Sequence, residues 1–443
     1  MSYQHPDSFV FHRPLGRALP AIERGEGARL WDREGRRYLD GSSGAVVVNV
    51  GHGRREIAAA MARQASAVAY VHGTQFTSAV LEEYARRLAR HAPGDCNRLY
   101  LVSGGSEANE TAVKMARAYH LARGETARHK VIHRAVSYHG NTLLALSLSG
   151  RPTLQAPYLP LLSVTPEAMA PFCYHCPLGR TFPECAVACA DDLEAVILRE
   201  GPETVAAFIA EPILGASAGA AVPPEDYLRR VREICTRHGV LLIDDEVMTG
   251  FGRTGRFFAI EWSGVHPDLV TCGKGMSGGY APVGAVLASE RIEEMLRGAG
   301  GFVHGFTFSH NPVTAAACLA TLDILEGEGL VEQALAKGEA LGARLQCLRA
   351  HPHVGDVRGR GLLFGVELLA DPAARRPFPR AERRAEAVAA RAFAAGLVTY
   401  PSGGCATGRD GDVVMLAPPF VTAEAELHEM AATLDRVLFD SGL

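Results

Sequence analysis

Of the 443 residues, 47% are hydrophobic and 21% charged, which excludes disordered and collagen-like chains and suits a large globular domain with a smaller companion. The net charge of −4, with no dominant basic stretch, gives no footprint for nucleic acid, and no apolar run approaches the roughly 18 residues of a membrane helix. Met1–Asp7 lacks a basic segment followed by an apolar one, so no export signal is expected and a cytoplasmic location is.

Taken along the chain, residues 1–60 contain a turn-flanked apolar run, Ala45–Val48, and are expected to join residues 321–443 in a small α+β domain around a large domain, 61–320. From about residue 98 to 290 one pattern repeats: a short apolar run, a turn, then a helical period. The runs Leu99–Val102, Val131–His133, Val205–Ala210, Val240–Ile243, Leu269–Cys272 and Val283–Ala288 read as strands buried on both faces. They predict an α/β domain with a mostly parallel sheet. Four cysteines lie between the second and third runs as Cys173-x2-Cys176-x8-Cys185-x3-Cys189. That spacing is open to a metal, to disulfides or to reduced structural thiols; reduced thiols and no metal are expected. Near the end, Asp371–Pro379 reads as a Pro-rich loop. A last helix is predicted with Thr422 as N-cap and Leu427, Met430, Ala431, Leu434, Val437 and Leu438 on one face.

Ligands of such sheets lie beyond the carboxyl ends of the strands, so the residues just past each run carry the chemistry. After Leu99–Val102 comes Ser103-Gly-Gly-Ser106, opening a helix through about Tyr119; Gly105 and Ser106 there suit a phosphate. After Val240–Ile243 come Asp244, Asp245 and Glu246, carboxylates that are costly to bury without partners. After Leu269–Cys272 comes Gly273-Lys274-Gly275. The chain has only four lysines, Lys114, Lys130, Lys274 and Lys337. A lysine between glycines at a strand end can lose pKa and form a Schiff base. A helix-start phosphate site, a strand-end carboxylate and a strand-end lysine together meet the requirements of pyridoxal phosphate.

With these features in place, the sequence resembles the class III aminotransferases of the fold-type I pyridoxal-phosphate enzymes, over nearly the whole chain. The segments that carry the resemblance, in order, are Ser103-Gly-Gly-Ser-Glu-Ala108, Tyr138-His-Gly140, Glu211-Pro-Ile213, Asp245-Glu-Val-Met-Thr-Gly-Phe-Gly-Arg-Thr-Gly255, Gly273-Lys-Gly275 and His304-Gly-Phe-Thr-Phe308. The resemblance implies Lys274 as the Schiff-base lysine and proton shuttle, with Asp245 pairing the pyridinium nitrogen. Gly105 and Ser106 would bind the phosphate, Tyr138 and Val247 would cover the two ring faces, and His139 and Glu211 would belong to the surrounding network. Thr307 would reach a partner subunit's phosphate, since the family's sites lie at a homodimer interface. Ping-pong exchange between a small-molecule amine and a 2-oxo acid is expected.

Departures from the family narrow the substrate. Relatives that grip 2-oxoglutarate carry an arginine after His-Gly, where this chain has Asn141; Ala216 and Val414 stand at two further positions of that apparatus. The resemblance therefore favours transfer from an ω-amino acid or amine to pyruvate. Arg409 is expected as the mobile arginine for a small carboxylate, and Val46 where that branch often has a pocket tryptophan. A decarboxylating transaminase or an aminomutase is the alternative within the cofactor's chemistry, and a non-enzymatic metal-binding protein built on the cysteines is the alternative outside it.

Overall fold

The computed structural model describes residues 8–439, and of Ser2–Tyr3 the backbone alone. The rest of Met1–Asp7, where no export signal is expected, lies outside the described residues. Seven strands form the central sheet: β1 (Arg98–Val102), β2 (Lys130–Arg134), β3 (Glu167–Ala168), β4 (Val205–Ala210), β5 (Leu241–Asp245), β6 (Leu269–Gly273) and β7 (Gly284–Ala288). Their spatial order is β1-β7-β6-β5-β4-β2-β3. The pairs from β6 to β3 are parallel, and β7 runs against both of its neighbours. This is the mixed α/β architecture, with its mostly parallel sheet, that the apolar runs predict. Every residue of β4, β5, β6 and β7 is buried, because helices cover both faces.

One boundary differs from expectation for a physical reason. β5 continues through Asp244 and Asp245, which stay in register with Val270 and Thr271 of β6; polar residues can remain in a parallel ladder when the backbone bonds persist. The apolar run Ala45–Val48 begins inside a single helical turn, Ser43–Val46, with Gly44 at φ 68° and Val46 at φ 61°.

Helix α1 (Gly105–Ala122) starts directly after β1 and packs over β7 and β6. Helix α2 (Pro312–Gly327) has Pro at its start and Asn311 accepting from Thr314 N–H at 3.0 Å; it is buried against two earlier helices, Arg55–Ala67 and Ala79–Leu88. The last helix, α3 (Glu424–Phe439), buries Leu427, Met430, Ala431, Leu434, Val437 and Leu438 as the periodicity requires. Thr422 does not cap it: its hydroxyl donates to Pro419 O at 2.6 Å, and Glu426 instead accepts from Ala423 N–H at 2.8 Å.

A second sheet holds the antiparallel strands Val354–Gly359, Phe364–Asp371, Asp412–Leu416 and Tyr400–Gly403. The short strand Leu397–Val398 leaves this region and pairs in parallel with Arg37–Asp40. No helix among the described residues is long and apolar enough to cross a membrane.

Candidate active site

The carboxyl ends of β4, β5 and β6 and the start of α1 surround a cavity of about 840 Å³. Ser103, Gly105, Ser106, Tyr138, His139, Glu211, Asp245, Val247 and Lys274 all line it. The cofactor residues expected from the sequence are therefore brought together, Thr307 excepted.

Asp245 is the best-held group. Its Oδ2 accepts from His139 Nδ1 at 2.7 Å and Asn109 Nδ2 at 2.9 Å, and its Oδ1 accepts from Val247 N–H at 3.0 Å. Asn109 also donates to the main-chain oxygen of His139 at 2.5 Å, so it ties the acid to the backbone of the segment that carries the imidazole. Three donors aimed at one buried carboxylate satisfy its oxygens and fix its orientation. The neighbouring acids differ in kind. Glu246 accepts from Thr249 and from Ile260 N–H, yet burial pushes its carboxyl up to about 8; burial and the nearby Glu246 and Asp245 likewise push the Asp244 carboxyl well up.

Lys274 follows β6 in a left-handed conformation, φ 44°, a strain that non-glycine residues hold mainly where the surroundings demand it. Its amine has no hydrogen-bond or ion-pair partner among the described residues. Burial lowers its pKa, with Arg253 adding slightly, while Asp245 and Glu211 pull the other way. The other three lysines are accounted for elsewhere: Lys130 donates to Glu200, Lys337 to Phe420 O, and Lys114 is exposed on α1. Glu211 is raised by burial and by Asp245, against His139 and the buried guanidinium of Arg134; Arg134 Nη2 donates to Glu211 O at 2.5 Å.

At the start of α1 the backbone approaches closely. A Cβ on Gly105 would lie 2.7 Å from Val247, whereas one on Gly104 would meet open space. Ser106 Oγ accepts from Asn141 N–H at 3.0 Å and keeps its own proton to donate. The first N–H groups of this 18-residue helix lack helical acceptors and suit an anion.

Three expected residues lie elsewhere. Thr307 is exposed, its carbonyl accepting from Tyr70 Oη at 2.8 Å, and it does not line this cavity. Val46 is buried among Ile213, Leu363, Val413 and Met415, while its neighbours Ala45 and Val47 line the cavity; the positive φ values of the turn rotate it into the core. Arg409 sits exposed in the turn before Asp412–Leu416 and is absent from the cavity wall. The four clustered cysteines are free thiols, and among the described residues no three His, Cys, Asp or Glu are grouped to hold a metal ion.

Sequence reasoning missed Asn109, Arg151 and Arg380, all on the cavity wall. Asn109 had a signal, since it lies one helical turn beyond Gly105 and Ser106. Arg151 and Arg380 had none among so many arginines.

The profile of the Aminotransferase class-III family matches residues 11–438. The chain belongs to the class-III aminotransferases. It is 43% identical to a probable aminotransferase of Mycobacterium tuberculosis, over 96% of this chain and 90% of the relative. It is 37% identical to a diaminobutyrate–2-oxoglutarate transaminase of Halomonas elongata, over 94% of this chain and 89% of that one. Among solved structures, an (S)-enantioselective ω-transaminase from Thermomicrobium roseum superimposes with a TM-score of 0.91 at 38% identity, over 99% of this chain and 97% of that one. An ω-transaminase of Pseudomonas jessenii in complex with PMP gives 0.90 at 34%, over 99% and 96%. Class-III aminotransferases depend on pyridoxal phosphate, and the residues of this chain suit it. The unpartnered lysine amine, the clamped carboxylate, the open space at Gly104 and the unpartnered buried Nε2 of His139 all border one cavity or its edge.

Proposed function

We propose that this aminotransferase moves an amino group from an ω-amino acid or amine to a 2-oxo acid, pyruvate foremost, in ping-pong fashion. The observation that carries the reading is the unpartnered, buried amine of Lys274 facing the same cavity as the triply held carboxyl of Asp245. Pyridoxal phosphate, when bound, supplies an electron sink that makes the C–H beside the donor's nitrogen acidic.

The chain's own residues do the rest. Lys274 would hold the cofactor through Nζ and, once released, carry the proton from the donor's amine-bearing carbon; burial lowers its pKa, which eases its use as a base. Asp245 would hold a proton on the ring nitrogen, with His139 and Asn109 keeping the carboxylate in place. Ser106, Gly105 and the start of α1 would hold the phosphate, and Tyr138 and Val247 would cover the ring. Glu211 lies within electrostatic reach of Lys274 and Asp245 and tempers the charge there. Thr307, exposed and not lining its own cavity, would serve the phosphate of a second copy, so we read the enzyme as a homodimer with shared sites. The pairing of Leu397–Val398 with Arg37–Asp40 supports reading residues 1–60 and 321–443 as one small domain.

Pyruvate is favoured over a dicarboxylate because Asn141, Ala216 and Val414 offer no cationic side chain. The Halomonas relative's 2-oxoglutarate makes the acceptor the first thing to measure. Lys274→Ala is expected to abolish transamination and the covalent mass gain after borohydride reduction of the purified protein. Borohydride-fixed cofactor on any other residue overturns the assignment. Rates with 2-oxoglutarate equal to those with pyruvate overturn the acceptor preference.

A further inference from the structure

The wall of the same cavity contains a buried positive charge that the protein does not neutralise. Arg151 follows Gly150 at the start of the short helix Pro152–Gln155 and is 8% exposed. Its Nη2 donates to Gly403 O at 2.8 Å, and its Nη1 reaches Ala216 O only at 3.5 Å. Its Nε is buried with no acceptor. Both acceptors are neutral carbonyls, and among the described residues no carboxylate lies within ion-pair distance of it.

The other buried and part-buried arginines are treated differently. Arg358 is paired with Glu367 and Asp356, and Arg134 lies beside Glu211. Arg380, also on the cavity wall, is neutralised by Glu386 and Asp412. Arg253 lacks an ion pair, but it donates to Leu362 O and Pro418 O at 2.9 and 2.7 Å and does not reach the cavity. Arg151 alone among these combines burial, an unused donor and a face on the cavity. A desolvated guanidinium with spare donors recovers its burial cost only when an anion arrives, and its planar fork matches a carboxylate.

Resting on the transaminase reading above, the geometry points to Arg151, rather than Arg409, as the residue that receives a substrate carboxylate. The ligand class is a small carboxylate, from the 2-oxo acid acceptor or from the distal end of an ω-amino acid donor. Tyr138 lies within electrostatic reach of Arg151, so a carboxylate there lies beside the ring-covering tyrosine. Arg13, exposed at the cavity's mouth, adds positive potential on the approach.

The test uses holoenzyme and separates the two half-reactions by cofactor absorbance. The pyridoxamine form is mixed with pyruvate or with butanal, and the pyridoxal form with β-alanine or with 1-phenylethylamine. Arg151→Met is expected to lower kcat/KM for the acid about 10- to 100-fold relative to its uncharged counterpart, the worth of a charge-assisted hydrogen bond. Loss in the pyruvate arm alone assigns the acceptor's carboxylate, and loss in the β-alanine arm alone assigns the donor's. Arg409→Met should leave both ratios within about twofold. Calorimetry with propionate, which cannot react, should give saturable binding that Arg151→Met abolishes and Arg151→Lys weakens. Equal losses for acid and uncharged substrates, unchanged propionate binding, or the loss appearing in Arg409→Met would overturn the proposal. Should Arg151→Met fail to fold, Arg151→Lys decides: a wild-type ratio in the lysine variant counts against a fork-to-carboxylate contact. A wild-type enzyme that transfers no amino group from any donor defeats the transaminase reading instead, and propionate binding then still tests Arg151.

Discussion

Replacing Gly105 with alanine sets two effects against each other at the start of α1. Alanine gains up to about 1 kcal/mol over glycine within a helix, less at its first position. Against this, the new Cβ would lie 2.7 Å from Cγ1 and 3.2 Å from Cγ2 of Val247. The nearer contact is about 0.7 Å inside the 3.4 Å at which ordinary contact begins. Val247 cannot swing away freely, because it is β-branched and its N–H is tied to Asp245 at 3.0 Å. Overpacking of this kind costs about 1–3 kcal/mol, leaving a net loss of about 1–2 kcal/mol. With an unfolding entropy of about 2.1 cal/mol/K per residue, a chain of 443 residues should lose only about 1–2 °C in the thermal midpoint of the apo form. The larger readout is cofactor affinity, since moving Val247 disturbs a donor to Asp245. The decisive comparison is the double variant Gly105→Ala/Val247→Ala, which clears both methyl groups and should show a coupling of about 1 kcal/mol in urea unfolding. Strictly additive losses would refute the steric reasoning.

Two further predictions concern stability. Because burial lowers the Lys274 pKa, the folded chain binds fewer protons than the unfolded one between that lowered value and the usual 10.5, so stability rises with pH through that window. Apo Lys274→Met should therefore melt higher than wild type at neutral pH, with the gap closing towards pH 10.5; a gap that widens with pH contradicts the sign. Burial alone would raise the Glu367 carboxyl, yet Arg358 and His175 overcome it and hold it low. Arg358→Met should cost about 3–5 kcal/mol in urea unfolding at neutral pH. The deficit should narrow as acid protonates the stranded glutamate, and Arg358→Met/Glu367→Leu should recover much of it; a pH-independent deficit would show that Arg358 acts by packing alone.

The parallel sheet was legible because its strands are apolar on both faces, a pattern few other elements share. The residues at strand ends were legible for a related reason: a lysine or three acids next to a buried run must have a purpose or a partner. What stayed hidden depends on distant segments. Nothing near Val46 announces that the positive φ values of Ser43, Gly44 and Val46 itself turn it inward, and nothing near Thr422 announces that Pro419 O competes for its hydroxyl. Arg151 and Arg409 are alike in sequence. One is wrapped by Ala216 and Gly403, respectively 65 and 252 residues away, and the other stands in solvent.

The pairing of Arg37–Asp40 with Leu397–Val398 has a consequence during synthesis. Arg36 also donates to Ala394 O at 2.6 Å, and Tyr38 stacks on Phe393 with ring centroids 4.9 Å apart. These early residues must wait for partners made some 358 positions later, about 20–70 s at ribosomal speeds of roughly 5–20 residues per second. The central sheet between them is complete well before that. The cavity's cofactor wall can therefore be assembled on the ribosome while the strand Arg37–Asp40 still has an open edge, a period in which a chaperone or a neighbouring nascent chain would find it unpaired.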